Sequence, residues 1–461
     1  MITKIETDPV LKALATNNSQ LAEIFLEESK SLSIVMDNGR MEKVLAGMDR
    51  GAGLRLIHKF TTSYSHTNQV EEKSLLPLAQ NLAAMAGKGE AKIAPPSPLK
   101  PGLVSTPAKP FQNVDTRRKT DLVRAAEAAA KSVDPRIRQA RVIYMDKVQR
   151  VRIANSLGAD VYDERNYLVF LVHCVAEENG VMQTGYELIG GMCGMELFDT
   201  EDPQEVAREA ARRAIQTLTA RPAPGGSMPV VLAASAGGTM IHEAVGHGLE
   251  ADHINENMSV YAGKVGEEVA SPLITVVDDG TILAKRGSLG FDDEGEPSKR
   301  NVLIENGVLK SYMHDRLSAL KMGKEPTGNG RRENYEFAPV PRMTNTMILP
   351  GKDDPEAIVK DTSHGLLVSK MGGGQVNPVN GDFVFEVAEG YLIKDGRIKE
   401  PVRGATLTGN GPQVLKEIDR LGSDLGYGVG TCGKDGQGAP VADAQPTLRI
   451  PSMVVGGQQN G

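Results

Sequence analysis

The 461-residue chain has no tryptophan, and aromatic residues make up only 4% of it. A core built on large rings is therefore excluded, and the 50 glycines point to many tight turns. Cysteine is scarce. Cys174, Cys193 and Cys432 form an odd, widely spaced set that argues against a disulfide framework. No apolar run approaches the roughly 18 residues that a membrane-crossing helix requires, and the stretch LVFLVHCVA (168–176) has only the length of a strand. The opening residues interleave Lys4, Glu6, Asp8 and Lys12 with apolar positions, so they lack the unbroken core of a secretory signal. An excess of one charge is also missing. With 52 basic and 59 acidic residues the net charge is −7, which exerts no general pull on nucleic acid or anionic lipid. These absences predict a cytoplasmic protein with neither nucleic acid nor membrane as a partner.

What is present is globular: 40% hydrophobic and 24% charged residues, in a chain long enough for two or three compact units. The expected fold class is α+β, a mixed N-terminal α/β region followed by a mainly antiparallel, barrel-like C-terminal domain. Its expected divisions are an α/β module at 1–90, a Pro-rich connector at 91–118, an α+β module at 119–222 and a β-rich domain at 227–461. Residues 7–30 read as an amphipathic helix with Leu21, Ile24 and Phe25 on one side. Asn38-Gly39 between two short apolar runs predicts a hairpin, because both residues tolerate the positive φ of a tight turn. Six prolines between 87 and 118 predict an extended tether. An Ala-rich helix and three strands follow, the last two joined at Asn179-Gly180. Asp202 then caps a helix with Pro203 in its first turn and an apolar stripe of Val206, Ala210, Ala214, Ile215 and Leu218. Beyond the breaker RPAPGGSMP (221–229), Asp279-Gly280, Asn306-Gly307, Asn380-Gly381 and Asp395-Gly396 each sit between β-rich runs.

A helix near the start of this second half carries the chemistry. GGTMIHEAVGHGLEAD (237–252) contains His242, Glu243 and His247, an H-E-x-x-x-H pattern one residue longer than the zinc-peptidase motif H-E-x-x-H. Five steps of about 100° leave the two rings about 140° apart on an ideal helix. One π-type wide turn would bring them back to the same side, and Gly246 is the place for it. Glu243, beside a ligand histidine, stands where the general base for a metal-activated water belongs. The same three residues on an ordinary helix also read as structural. Catalytic zinc usually takes three protein ligands. Candidates for the third are Glu250, Asp252, His253 and the distant Cys432, which lies in GVGTCGKDGQGAP between Gly430 and Gly433. Cys432 also reads as an inert small residue in a loop, or as a nucleophile whose partner histidine cannot be identified from spacing. Arg331 and Arg332 could steady a peptide carboxylate or a developing oxyanion, or make surface salt bridges. Arg342 and Asn345 could form a turn under the site or touch substrate.

Eight ordered segments carry a resemblance: HEAVGHGLEAD (242–252), VVDDGT (276–281), DDEGEPSKRNVLIENGVLKSYMHD (292–315), PTGNGRRENY (326–335), PRMTNT (341–346), GGGQVNPVNGDFVFEVAEGYLI (372–393), GATLTGNG (404–411) and TCGKDGQ (431–437). The chain resembles the TldD/PmbA family of metalloproteases, on the TldD side, over nearly its whole length. The resemblance implies a zinc-dependent peptidase in which His242, His247 and Cys432 hold Zn²⁺ and Glu243 activates water, leaving His253 a bystander. It further implies a dimer, either with a TldE/PmbA-like subunit or with itself, and peptides or unfolded polypeptides entering as extended strands. Two other functions stand beside this reading: a non-catalytic peptide-binding subunit and a thiol hydrolase using Cys432.

Overall fold

The computed structural model describes residues 2–87, 93–95, 97–102 and 106–457. Helix α1 (Asp8–Leu14) ends well short of the expected residue 30, and strand β1 (Ser19–Asp37) takes over. Leu21, Ile24 and Phe25 therefore lie on a strand. The physical reason is that Leu21, Ala22, Ile24, Phe25 and Leu26 are all buried, on both faces of the chain, which a one-sided helical stripe would not allow. The chain reverses at Asn38-Gly39, with φ of +47° and +82°, into β2 (Arg40–His58), and β3 (Thr61–Thr67) then pairs with β2 from Ala52 to His58. Helix α2 (Glu72–Ala86) follows.

Parts of the expected connector, residues 91–92, 96 and 103–105, lie outside the described residues. Of the rest, Lys100–Pro101 forms a short parallel strand beside Val161–Tyr162. Helix α3 (Thr116–Lys131) starts where the Asp115 carboxylate accepts a hydrogen bond from the Arg117 amide. Strand β4 (Ile137–Asn155) then runs antiparallel to β1 from Glu23 to Asp37, and β5 (Asp160–Glu178) and β6 (Val181–Met192) continue the sheet through the Asn179-Gly180 turn. The segments 1–90 and 119–222 thus build one sheet in the order β3-β2-β1-β4-β5-β6. Helix α4 (Pro203–Thr219), capped by Asp202, buries Val206, Ala210, Ala214 and Leu218 against it, with Ile215 half-buried. Its alanines permit close approach: any side chain at Gly185 of β6 would overlap the α4 backbone.

The C-terminal half contains a small closed barrel. Strands β7 (Gly226–Leu232), β8 (Val276–Asp279), β9 (Arg300–Glu305), β10 (Asn345–Ile348), β11 (His364–Val376), β12 (Asp382–Lys394) and β13 (Thr406–Asn410) precede β14 (Gly426–Lys434), β15 (Gln437–Gln445) and β16 (Leu448–Gly456). The ring β11-β7-β16-β13-β12 closes on itself through the β11–β12 pair. Val230, Leu366, Phe383, Phe385, Leu407 and Ile450 belong to its buried core. A second sheet runs β9-β8-β10-β15-β14, so β14 is an edge strand. Asn306-Gly307 and Asp395-Gly396 make left-handed turns between paired strands, as expected. Asp279-Gly280 does not, because the partner of β8 begins only at Arg300; Asp279 instead accepts hydrogen bonds from the Thr281 amide and hydroxyl to open a long excursion. Asp435-Gly436, with φ of +52° and +73°, supplies the tight turn between β14 and β15. Among the described residues no helix is long and apolar enough to cross a membrane.

Candidate metal centre

The H-E-x-x-x-H segment is not a regular helix. A single α turn at Thr239–Ile241 opens into a π turn over His242–Gly246, then tightens to 3₁₀ over His247–Leu249. The His247 amide donates to the His242 carbonyl, an i→i+5 bond. That bond sets the two imidazoles on one side, with ring centres 5.2 Å apart and planes at 88°. Gly246 serves the turn by close packing: a methyl group there would overlap the Met343 thioether.

Cys432 comes to these rings from β14, where it pairs with Ala439. It stands on a strand, so the alternative of an inert residue in a loop does not describe its setting. Its Sγ is 3.3 Å from His247 Nε2, and one donor atom from each of His242, His247 and Cys432 lies within 4.8 Å of the others. The nucleophile reading lacked a partner histidine in the sequence, and the fold supplies one. A tetrahedral ion with ordinary zinc bond lengths sets imidazole nitrogen and thiolate sulfur about 3.5 Å apart, close to the spacing present here. The Nδ1 atom of His242 is buried with no hydrogen-bond partner among the described residues. Two imidazoles and one thiol are also the donor chemistry that suits zinc, so the residues present fit that ion.

The electrostatics agree. Burial alone would push the Cys432 thiol up, but hydrogen bonds and charge from His242 and His247 bring it down to about 5. Burial would likewise lower His247, yet the Glu250 carboxylate and Cys432 hold it well above the ordinary histidine value. For Glu243 burial dominates and raises the carboxyl above its usual range, toward the pH at which an acid–base group works.

Glu250 is fully buried, with Oε2 2.9 Å from His247 Nδ1. Against burial, which would raise it, His247 and Lys434 keep Glu250 ionised down to about pH 2. Lys434 lies two residues beyond Cys432, on the same face of β14, and its Nζ donates to Glu250 at 3.0 Å, Asp252 at 2.8 Å and the Pro341 carbonyl at 3.1 Å. The strand that carries Cys432 is thereby tied to the segment that carries His247. Arg342, fully buried, donates to the backbone carbonyls of Cys432 and Gln437 and fixes the hairpin from beneath.

Of the candidates for a third donor, Cys432 joins the histidines, whereas Glu250 and Asp252 bracket Lys434 and His253 stands 3.9 Å from Glu250. Arg331 and Arg332 are buried and do not line the cleft. Arg331 donates to the Met343 and Pro440 carbonyls, and Arg332 pairs with Glu23 and lies 4.3 Å over the Phe25 ring. Asn345 donates to the Asp279 carbonyl. The cleft itself, about 260 Å³, is lined by Thr239, His242, Glu243, His247, residues 428–433, Val441 and Asp443. Sequence reasoning missed Lys434 and Asp443. The even spacing from Cys432 signals Lys434 once β14 is known to be a strand. Asp443, which accepts from the Gly238 amide at 2.8 Å, carries no such signal.

Sequence profiles of the PmbA/TldA metallopeptidases match the chain in three blocks: domain 1 at 22–86, the central domain at 109–218 and the C-terminal domain at 225–457. A Haemophilus influenzae protein named as a metalloprotease TldD homolog is 36% identical over 458 residues, covering 97% of this chain and 95% of its own. A Thermotoga maritima protein described as a candidate modulator of a DNA gyrase has the same fold, with a TM-score of 0.79 at 23% identity over 95% of this chain and 96% of its own. TldE from Thermococcus kodakarensis superposes with a TM-score of 0.74 at 20% identity, over 95% and 96% of the two chains. With blocks along almost its entire length matched and a relative above one-third identity, this chain belongs to the PmbA/TldD family of metallopeptidases.

Proposed function

We propose that the protein is a zinc-dependent peptidase acting on peptides or unfolded polypeptides. The convergence of His242, His247 and Cys432 within 4.8 Å, beside a cleft that also holds Glu243, is the observation that carries this reading. A bound zinc ion supplies Lewis acidity toward a peptide carbonyl and toward water. Glu243 takes the proton from the attacking water and passes it to the departing amine, a role its raised affinity for protons suits. Glu250 orients His247 through Nδ1, and Asp443 anchors the start of the His242 turn by accepting from the Gly238 amide. The glycine-rich edge strand β14 offers backbone donors and acceptors to an extended substrate, so binding would depend little on side-chain identity. Names of relatives support the peptidase class, and the family resemblance implies assembly with a TldE/PmbA-like subunit or with itself. Purified protein should contain near-stoichiometric zinc, and a chelator should abolish cleavage of a flexible peptide until zinc is restored. Metal-free protein with undiminished peptidase activity overturns the proposal.

A second reading has its own observation. Cys432, His247 and Glu250 line up with contacts of 3.3 and 2.9 Å, the order of a nucleophile, a base and its orienting carboxylate. Activity that resists chelation yet is lost on Cys432→Ala would favour this thiol mechanism. The metal reading is preferred because it alone gives His242 and Glu243 work to do.

A further inference from the structure

Strand β14 has two faces and a free edge, and the metal centre uses only one of the faces. Thr431 stands opposite Pro440, which has no N–H to give, so the two form a non-hydrogen-bonded pair of the β14–β15 ladder. In keeping with this, the Pro440 carbonyl turns away from β14 and accepts from Arg331 at 2.7 Å. The backbone N–H and C=O of Thr431 therefore point outward, to the edge where none of the described strands pairs. Thr431 is exposed there. Side chains alternate along a strand: Cys432 is directed at His247, whereas Tyr427, Val429 and Thr431 leave the opposite face.

Two half-buried cations stand over that opposite face. The Lys285 ammonium lies 3.6 Å from the centre of the Tyr427 ring, and Arg286 donates from Nε to the Gly430 carbonyl at 3.0 Å and from Nη2 to the Thr431 hydroxyl at 3.3 Å. Nη1 of Arg286 is buried with no hydrogen-bond partner among the described residues. No described carboxylate pairs with either cation. Burial lowers the proton affinity of both, and at Arg286 the neighbouring Arg331 adds to the effect. In a chain with 59 acidic and 52 basic residues, cations without an acid at hand are no consequence of composition. The buried arginines 55, 165 and 332 each have one. A guanidinium held partly out of water without a counter-charge is costly, and an incoming carboxylate would relieve that cost.

An extended substrate laid along this edge sends alternate side chains to the two faces. The one opposite Thr431 emerges beside Arg286, and its neighbours point to the side of the imidazoles. We infer that Arg286 is a specificity-determining residue, which receives the side-chain carboxylate of a substrate Asp or Glu at the position opposite Thr431. This rests on the peptidase reading and names a substrate class for it, peptides with an acidic residue at a set place. A chain-terminal carboxylate fits less well, because it lies in the plane of the added strand and not off its face.

Binding and cleavage are measured separately on the full chain. Flexible, C-terminally amidated peptides of neutral residues carry one Glu at successive positions, each matched by a Gln peptide. On a Glu243→Gln background, which slows turnover, the best-placed Glu peptide should bind about tenfold more tightly than its Gln counterpart. Adding Arg286→Gln should remove that difference, and Arg286→Lys should keep most of it. Arg286→Glu should invert it in favour of a Lys peptide, a result that a damaged hairpin cannot produce. With Glu243 intact, mass spectrometry of the products should place the Glu at one fixed distance from the cut bond. Equal affinities of Glu and Gln peptides at every position overturn the inference. So does a difference that survives Arg286→Gln, or one that appears only with a free C-terminus. Protein that shows the affinity difference but cuts no peptide strikes the peptidase reading and leaves the carboxylate site standing.

Discussion

Two buried groups of ionisable side chains in this molecule are built on opposite plans. Where the long sheet meets the loop around residues 291–296, Arg55 pairs with Glu294 and Asp315, Arg332 with Glu23, and Arg165 with Asp163 and Asp293. Each guanidinium there has an acid within reach, and the cluster joins residues more than a hundred positions apart. Around the cleft the described side chains include two imidazoles, a thiol, Glu243 and Asp443, with no arginine or lysine among them. A structural cluster brings its own counter-charges, because unpaired buried charge is costly. The cleft gathers electron-pair donors and leaves positive charge to be supplied by protons or a metal ion. The rise in the His242 and His247 proton affinities expresses that shortage.

The contrast predicts different responses to mutation. At the cleft, Glu243→Gln should cut peptide cleavage by about 10²- to 10⁴-fold while zinc content stays the same, because it removes a proton acceptor and no donor to the ion. Cys432→Ser should lower the zinc content itself. Metal analysis alongside a peptide assay separates the two, and a Glu243→Gln variant that keeps full activity removes the general base from the mechanism. At the junction the effect should appear in stability instead. Arg332→Met leaves Glu23 buried and unpaired, at a cost of about 3–5 kcal/mol in urea unfolding. The double variant with Glu23→Leu should recover most of that loss. If Arg332→Met alone is neutral, the junction is not held by its ion pairs.

Much of this was legible in the sequence where a local rule sufficed. The Asn-Gly and Asp-Gly turns at 38–39, 179–180, 306–307 and 395–396 declared themselves because positive φ restricts which residues can occupy them. The wide turn between His242 and His247 followed from counting residues per turn, and the protein has it. What failed was tertiary. Leu21, Ile24 and Phe25 fit helical spacing, yet pairing with two neighbouring strands places them in β1. Arg331 and Arg332 read as substrate-steadying or surface residues, and only the meeting of distant segments buries them away from the cleft. Nor could spacing bring Cys432 to His247, 185 positions away; the family resemblance suggested it and the hairpin geometry delivers it.

A pH test probes the edge of the junction. His314 is buried beside Asp315, and burial, aided by Lys324, lowers its pKa to about 4. The unfolded chain, with an ordinary value near 6.5, therefore binds the proton more readily between those limits. Stability from this residue is complete above pH 6.5 and is lost as the pH falls toward 4, amounting to about 3 kcal/mol over the window. His314→Asn should flatten that part of the profile relative to wild type. Equal slopes in the two proteins would show that the ring titrates normally.

The smallest expected effect is the most informative about how the two plans meet. Glu250 belongs to neither group alone: one oxygen faces His247 Nδ1 and the Lys434 ammonium, whose strand also carries Cys432. Glu250→Gln keeps the shape and a hydrogen-bonding oxygen but removes the charge that orients the imidazole. If Glu250 acts through His247, zinc affinity measured against a competing chelator should weaken about 10- to 100-fold with the fold intact. Lys434→Met should produce a loss of the same order, because it frees the same carboxylate from the opposite side. Equal zinc affinity in wild type and Glu250→Gln would instead assign this carboxylate to the structural plan, as the partner of Lys434 and nothing more.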